Sequence, residues 1–372
     1  MICQCCQNNK NNKEVKNYNK LIKISSDERY ASTCCSIFIC NRCSLIQKKI
    51  DSNFIKKLNF LYKIYKPYPS KLGNENLINI KDKEYYRSDL ILKKINKKKK
   101  LINLNILDFG CGSGFTLSRI SKLYPNNNLY GFDHNHKYSK KLKQIKYFKK
   151  LFINNLKNID KKFDIVILNH VFEHLINPIL YLKKINKILN KDGVIMLQMP
   201  NIEKNFTDIL TFDHICYYDK KTLKNLLINS NLFRFSIENV IKKEITCILY
   251  KRKIKKKINS KYIISDLNID KKIFRLNIFA QKLNKIKSKK SYIFGTTVPA
   301  IWVSKVIGKS KFQNFVEEDY QKINKIIHQK RILSLNSVKK NYNLIVPYPK
   351  VLQKKIIKKI GNSINKKKLY LL

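Results

Sequence analysis

The sequence predicts an α/β protein in which a Rossmann-like core lies between a cysteine-rich N-terminal module and a second, smaller C-terminal α/β domain. Apolar runs of strand length alternate with helical patterns from residue 101 onwards, which is typical of a parallel sheet covered by helices. Seven of the ten cysteines fall within the first 43 residues, and a strand-turn-helix pattern returns near residue 292. The predicted boundaries are 1–50 for the module, 51–100 for a helical lid or linker, 101–250 for the core and 251–372 for the C-terminal domain.

The first 50 residues contain two Cys-x-x-Cys pairs, which are the usual corners of a tetrahedral structural zinc site. The predicted ligands are Cys3, Cys6, Cys40 and Cys43. A module this small buries little core, so a bound zinc ion would supply its folding energy. Two alternatives stay open, namely that another cysteine replaces one of the four, or that all remain reduced free thiols. The candidates for replacement are Cys5, Cys34 and Cys35.

The strongest chemical signal is an apolar strand that ends in Asp108 and runs into a glycine-rich turn at residues 110–114. Glycines let a backbone approach a ligand without a clash at Cβ. The spacing is GxGxG, and Phe115 stands where the dinucleotide fingerprint GxGxxG has its third glycine. A second acid, Asp133, follows at a strand end, where a carboxylate can hold ribose hydroxyls.

Two further strands carry polar residues at their ends. The run 163–168 leads into Asn169 and then His170-x-x-Glu173-His174, and the run 194–199 leads into a Pro-Asn pair. The HxxEH spacing also matches an inverted zinc-protease pattern, which requires the motif to lie on a helix. Because these residues follow directly from an apolar strand, the sequence does not predict a metalloprotease.

Together these patterns resemble class I S-adenosylmethionine-dependent methyltransferases over roughly residues 101–250. Asp192-Gly193 stands in place of the double glycine of that family. His170 stands where some relatives carry a magnesium-binding acid, so no metal is expected at this loop. The resemblance implies S-adenosylmethionine as cofactor, with the ribose on the acid of the second strand and the sulfonium near the asparagine. The implied cofactor-binding residues are Asp108, Gly110, Cys111, Gly112, Asp133 and Asn169.

Residues 211–219 are similar to the sugar C-methyltransferase branch of that family, whose pattern here is His-Glu-His-x-x-Tyr. Asp213, His214 and Tyr217 match its last three residues, and Phe212 replaces the first histidine. The resemblance implies carbohydrate biosynthesis, with a nucleotide-linked keto-deoxysugar or related carbohydrate as substrate. We expect His214 to be the catalytic base that makes a carbon nucleophile, with Asp213 and Tyr217 orienting it or contacting the enolate. The alternative is that His214 only fastens its loop.

The flanking segments extend this resemblance. Residues 40–47 are similar to the Cys-x-x-Cys-Gly-Leu-Val-Gln end of the branch's zinc module. Tyr62, Tyr65 and Tyr68 correspond to a tyrosine-rich segment that helps to close the cofactor site, although ordinary packing explains them equally well. Residues 291–300, 315–319 and 344–347 are similar to strands and turns of its C-terminal nucleotide-fold domain.

The net charge of +53 would suit nucleic-acid binding, yet only 8 of the 78 basic residues are arginine. Lysine, asparagine and isoleucine all have A/T-rich codons, so coding bias explains the charge better. Nucleic acid is therefore not the expected partner. The rival interpretations are a small-molecule O-methyltransferase and a basic, zinc-containing RNA-binding protein. We expect a cytoplasmic protein, since no apolar run reaches membrane-spanning length and the N-terminus lacks a secretion signal.

Overall fold

The computed structural model describes residues 1–66, 75, 77–80, 83–252, 261–286, 289–348, 350–360 and 369–372. Tyr68 and most of the basic stretch 251–257 lie outside the described residues. The helices are α1 (Ser52–Ile64), α2 (Arg87–Lys98), α3 (Phe115–Leu123), α4 (Ser139–Lys143), α5 (Pro178–Ile188), α6 (Lys220–Ser230), α7 (Ile269–Asn284), α8 (Val298–Ile307) and α9 (Lys350–Ile360).

The strands are short at both ends of the chain and longer in the core. In chain order they are β1 (Lys13–Glu14), β2 (Lys23–Ile24), β3 (Ala31–Ser32), β4 (Ile37–Ile39), β5 (Ile46–Lys48), β6 (Leu77–Ile80), β7 (Lys83–Tyr86), β8 (Asn105–Phe109), β9 (Asn128–Asp133), β10 (Phe148–Ile153), β11 (Phe163–Asn169), β12 (Leu189–Pro200), β13 (Cys216–Tyr217), β14 (Phe233–Glu238), β15 (Glu244–Lys251), β16 (Ser291–Phe294), β17 (Asn314–Glu317), β18 (Ile326–Ile327), β19 (Lys330–Ser334), β20 (Asn343–Val346) and β21 (Leu369–Leu371).

The core is a seven-stranded sheet with the order β10-β9-β8-β11-β12-β15-β14. Its first five strands are parallel, and β15 runs antiparallel to both neighbours. The sequence patterns predict β8, β9, β11 and β12, whose central residues are buried on both faces. They miss the interior strand β15 and the edge strands β10 and β14, and each of the two edge strands has a partly exposed face and lacks a continuous apolar run.

The segment 51–100 is less helical than the sequence predicts. It holds α1 and α2, but the β6–β7 hairpin lies between them. Arg119 on α3 donates two hydrogen bonds to the Asp89 carboxylate on α2, at 2.6 and 2.7 Å. The second helix is therefore fastened to the core rather than forming a separate linker.

The N-terminal module shares a sheet with the core. Strands β1, β4 and β5 continue into β13, which pairs antiparallel with β5. The buried Lys48 ammonium, on β5, donates to the backbone carbonyls of Thr211, Phe212 and His214 at 2.6, 2.6 and 2.7 Å. The position of the loop 211–215 is thus set by the module.

The C-terminal part holds a second parallel arrangement, a six-stranded sheet of order β18-β19-β17-β16-β20-β21 in which β18 alone is antiparallel. Apolar residues of this part pack against the N-terminal module, with Trp302 of α8 and Tyr18 of the module in one buried cluster. Among the described residues, no helix is both long and apolar enough to cross a membrane.

Candidate active site

A cavity of about 2050 Å³ opens at the carboxyl ends of β8, β9 and β11, where ligands of open α/β sheets bind. Residues from the module, the 51–100 segment, the core and the C-terminal part all contribute to its wall. Small-molecule sites in proteins usually measure about 300–1,000 Å³, so this cavity has room for two ligands.

The glycine-rich turn after β8 forms one side of the cavity. Gly110 has a φ of +79°, and a Cβ on it would lie 2.5 Å from Cγ2 of Val171. The backbone N–H groups of Gly110 and Cys111 donate to the carbonyl oxygen of Phe132 at 2.7 and 3.1 Å. Cys111 lines the cavity, but its Sγ packs where a Cβ on Gly131 would lie, at 2.7 Å. The turn therefore brings its backbone into the cavity wall, and at Gly110 a side chain has no space.

Asp133 lies at the end of β9 in the wall of the same cavity. Its carboxylate accepts hydrogen bonds from the N–H groups of Gly112 at 2.8 Å and His134 at 2.7 Å. The ring of Tyr62, from α1, stacks on the His134 ring with 5.9 Å between centroids. A carboxylate in this position can bind the ribose hydroxyls of a nucleoside, and a flat aromatic ring beside it can stack on the base.

Three carboxyl groups, those of Asp108, Glu75 and Asp133, converge behind the turn, and none has an ion-pair partner among the described residues. Burial, with the nearby Glu75 and Asp133, raises the pKa of Asp108 to about 8. Glu75 accepts from Ser88 Oγ at 2.6 Å and from Asn169 Nδ2 at 3.0 Å. A positively charged ligand beside these groups would favour their ionised forms. Asp108 itself is buried and does not line the cavity.

These residues fit S-adenosylmethionine, which carries an ammonium group, a sulfonium and a nucleoside. Asn169 lines the cavity, and its Oδ1 atom is buried with no hydrogen-bond partner among the described residues. The positive-φ turn, the acid at the end of β9 and the uncompensated carboxyl groups provide the backbone, ribose and cation contacts that the cofactor needs. The turn and Asp133 are where the sequence predicts them, whereas nothing in the sequence points to Glu75.

Two histidine rings meet in the cavity wall, 4.6 Å apart and nearly perpendicular. His174 Nδ1 lies 3.0 Å from the backbone carbonyl oxygen of Asp213. Since a carbonyl only accepts, Nδ1 carries the proton and Nε2 keeps a free lone pair. Burial and the neighbouring His214 lower the pKa of His174, so its ring is neutral.

The pKa of His214 is shifted in the opposite direction. Its Nδ1 lies 3.0 and 3.1 Å from the two carboxylate oxygens of Asp208. Burial opposes its charge, but Asp208 outweighs burial and raises the pKa of His214 above its ordinary value. The two shifts favour the neutral form of His174 and the protonated form of His214, the pattern of an acid–base pair.

The predicted partners of His214 lie elsewhere. The Asp213 carboxylate accepts from the Ser26 N–H at 2.7 Å and from Ser26 Oγ at 2.6 Å. Tyr217 OH is buried beside Tyr18 OH at 3.3 Å and does not line the cavity. Oδ2 of Asp213 also lies 3.4 Å from Nδ1 of His174, so this carboxylate contacts the other ring of the histidine pair.

The loop after β11 carries a buried ion-pair network. His170 has a φ of +55° and contacts Glu173 through Nδ1 at 3.1 Å and Glu244 through Nε2 at 3.2 Å. Burial and Arg87 oppose the charge on His170, but the two glutamates outweigh them and raise its pKa to about 9. Only a single 3₁₀ turn, Phe172–His174, follows the strand, so the HxxEH residues do not lie on an α-helix.

The four predicted zinc ligands converge in the N-terminal module. The Sγ atoms of Cys3 and Cys43 are 3.4 Å apart, and those of Cys6 and Cys40 are 3.5 Å apart. All four are buried, with ligand atoms within 4.8 Å of one another, which suits one tetrahedral ion. The other cysteines of the module stand outside this set: Cys5, Cys34 and Cys35.

Comparison with known proteins identifies the core. Residues 79–232 match the family model of a methyltransferase domain. The tRNA U34 carboxymethyltransferase of Nautilia profundicola is 28% identical over 171 residues, which cover 43% of this chain and 55% of that protein. The Campylobacter lari protein of the same name is 30% identical over 114 residues, 26% of this chain and 36% of that one.

A solved structure of the plantazolicin methyltransferase BpumL, in complex with a monoazolic desmethylPZN analog and SAH, is 15% identical with a TM-score of 0.39. The match covers 45% of this chain and 82% of the BpumL chain. The chain spans about half the length of the first curated relative and about a third of the second. Residues 79–232 match the methyltransferase-domain model and include most of the α/β core, so the predicted S-adenosylmethionine-dependent methyltransferase is confirmed at the level of the matched residues.

Proposed function

We propose that this chain, whose residues 79–232 match a methyltransferase-domain model, binds S-adenosylmethionine in the cavity and transfers its methyl group to carbon of an anionic carbonyl compound. The bound cofactor supplies a methyl group on a sulfonium sulfur, which an electron-rich acceptor atom displaces. Gly110, Cys111 and Gly112 form its methionine side, with Asp108 buried behind them and Asp133 on the ribose. Asn169 stands beside the sulfonium.

The observation that carries this proposal is the His174–His214 pair in the wall of the same cavity. In the proposal, Nε2 of His174 removes a proton from the carbon beside the acceptor carbonyl. His214, held in its protonated form by Asp208, donates a hydrogen bond to the oxygen that becomes negative. Asp213 and Tyr217 then serve as positioning residues, since they hold the loop rather than contact the acceptor.

The proposed acceptor is a nucleotide-linked keto-deoxysugar or a related carbohydrate. Its keto group supplies the acidic C–H, and its diphosphate supplies negative charge. Two observations support this size and charge: the cavity volume of about 2050 Å³, and a set of lysines in the cavity wall. These lysines are Lys242, Lys243, Lys325, Lys355 and Lys358.

A tRNA uridine is the second candidate acceptor, because the curated relatives are named tRNA U34 carboxymethyltransferases. The same lysines would then contact phosphates of the RNA backbone. The two acceptors differ in their salt dependence, since a long polyanion releases many counterions on binding and a nucleotide sugar few.

The test is methyl transfer from methyl-labelled S-adenosylmethionine to a panel of nucleoside diphosphate keto-deoxysugars, unmodified tRNA and simple hydroxyl acceptors. We expect label in a keto-deoxysugar, at carbon. His174→Gln should lower kcat by about 100- to 10,000-fold, because a glutamine cannot take up the proton. Cofactor affinity should change little. His328→Gln, a histidine outside the cavity wall, is the matched control.

The pH profile provides a second readout. Activity should fall at low pH as His174 takes up a proton, and this limb lies below pH 6.5 because the pKa of His174 is lowered from that value. It should fall again above pH 6.5 as His214 loses its proton, because the pKa of His214 is raised. Full activity in His174→Gln would show that His174 is not the catalytic base. Label found only in tRNA, or only on oxygen, would exclude carbon methylation of the keto-deoxysugar.

A further inference from the structure

We propose that Glu173, His174 and His214 form a binding site for one divalent transition-metal ion, open to the cavity and separate from the four cysteines, although the sequence predicts no metal at the loop after β11. One ligand atom from each of the three residues lies within 4.8 Å of the other two. Two histidines and one carboxylate are a common ligand set for such ions, and zinc sites with three protein ligands keep a fourth position for an exogenous ligand.

The free atoms of the three residues match this role. Glu173 is 1% exposed, and its Oε2 atom has no hydrogen-bond partner among the described residues. Its other oxygen accepts from His170 Nδ1 at 3.1 Å, which fixes the carboxylate in place. A buried carboxylate oxygen without a partner is costly, and a metal ion would satisfy it.

Both rings are also held as metal-binding histidines usually are. In such sites the second ring nitrogen is bonded to a carboxylate or a backbone carbonyl, which orients the ring and fixes the tautomer. Here Nδ1 of His214 contacts the Asp208 carboxylate, and Nδ1 of His174 contacts the carbonyl oxygen of Asp213. The Nε2 atoms of both rings remain available, and both residues line the cavity.

The proposed ion and the proposed acid–base chemistry exclude each other. A metal on the Nε2 atoms would occupy the lone pair of His174 and displace the proton of His214. This part of the inference rests on the proposed function, and it makes the ion an inhibitor of methyl transfer. The binding itself requires neither cofactor nor acceptor, so it can be measured without activity.

The experiment titrates Co²⁺ and Zn²⁺ into the full chain after dialysis has removed weakly held ions. We expect one equivalent to bind, with Co²⁺ absorption bands of nitrogen and oxygen ligation and without the intense thiolate charge-transfer bands of a cysteine site. Glu173→Gln and His174→Gln should lower the affinity at least about 10-fold, the minimum expected even for an outer-sphere partner. His328→Gln should bind as the unaltered chain does.

The outcomes separate the two proposals. The proposed metal site is wrong, whatever the activity, if the chain binds no equivalent of Co²⁺ or Zn²⁺ or if only thiolate bands appear. It is also wrong if Glu173→Gln binds the ion as tightly as the unaltered chain does. If a variant fails to fold, the Co²⁺ spectrum and stoichiometry of the unaltered chain still decide. Binding with no methyl transfer to any acceptor supports the site and overturns the proposed function. Methyl transfer that continues with Zn²⁺ saturating the site overturns the inhibitory role.

Discussion

At the scale of single residues, backbone conformation and the atoms within 4 Å decide what each position tolerates. Gly110 and Gly308 both have positive φ, at +79° and +87°, where an L-side chain is strained. Their surroundings differ, because a Cβ on Gly110 would meet Val171 at 2.5 Å whereas one on Gly308 would have no atom within 4 Å. Alanine variants at these two glycines therefore distinguish the effect of conformational strain from the effect of losing the cofactor site.

The predicted consequence concerns cofactor affinity. Gly110→Ala should abolish measurable binding of S-adenosylmethionine in calorimetry, since the turn and Val171 must both move away from the cavity wall. Gly308→Ala should cost about 1 kcal/mol of stability through its φ alone and leave cofactor affinity unchanged. Equal affinities for the two variants would show that the glycine turn is not the cofactor site.

At the scale of elements, the loop 211–215 depends on a strand that lies far away in the sequence. Lys48 on β5 is buried, and desolvation lowers its pKa to about 8. It nevertheless keeps its ammonium group among three carbonyl oxygens, one of them from His214. Lys23 is a comparable buried lysine with a pKa lowered to about 8, but it donates to Tyr18 and Thr33 instead.

These two lysines give a matched pair of variants. Lys48→Met should lower the free energy of unfolding by about 3 kcal/mol, because it leaves three buried carbonyls without a donor. It should also lower kcat, since the loop that carries His214 loses its anchor. Lys23→Met should lower stability without a comparable loss of kcat. Chemical denaturation and steady-state kinetics measure both effects, and equal kcat values would show that the anchor does not position His214.

At the scale of the whole molecule, the N-terminal module is an integral part of the active site. Its strand β5 pairs with β13 of the core, and Ser26 holds the Asp213 carboxylate. The four clustered cysteines belong to the same buried apolar cluster as residues of the core. A zinc ion there would therefore stabilise the loop of the active site through the β5–β13 pairing.

Removal of the zinc ion should lower both the stability of the protein and its methyl transfer. After dialysis we expect about one tightly bound zinc per chain by elemental analysis, and Cys40→Ser should lose it with a marked fall in Tm. Methyl transfer should fall in the same variant. Cys34→Ser, at a half-buried cysteine outside the cluster, should retain zinc and activity. Freshly prepared, reduced protein without zinc would refute the structural ion.

The sequence by itself determined the α/β core, the glycine turn and its two acids, and the cysteine pairs. These features are local, because strand periodicity, positive-φ turns and paired thiols each arise within about a dozen residues. Only the tertiary structure decided that Asp208 rather than Asp213 pairs with His214, and that Glu75 and Glu173 face the site. Side chains on irregular loops are directed by contacts such as those of Lys48, more than 160 residues away in the chain, and no local pattern records them.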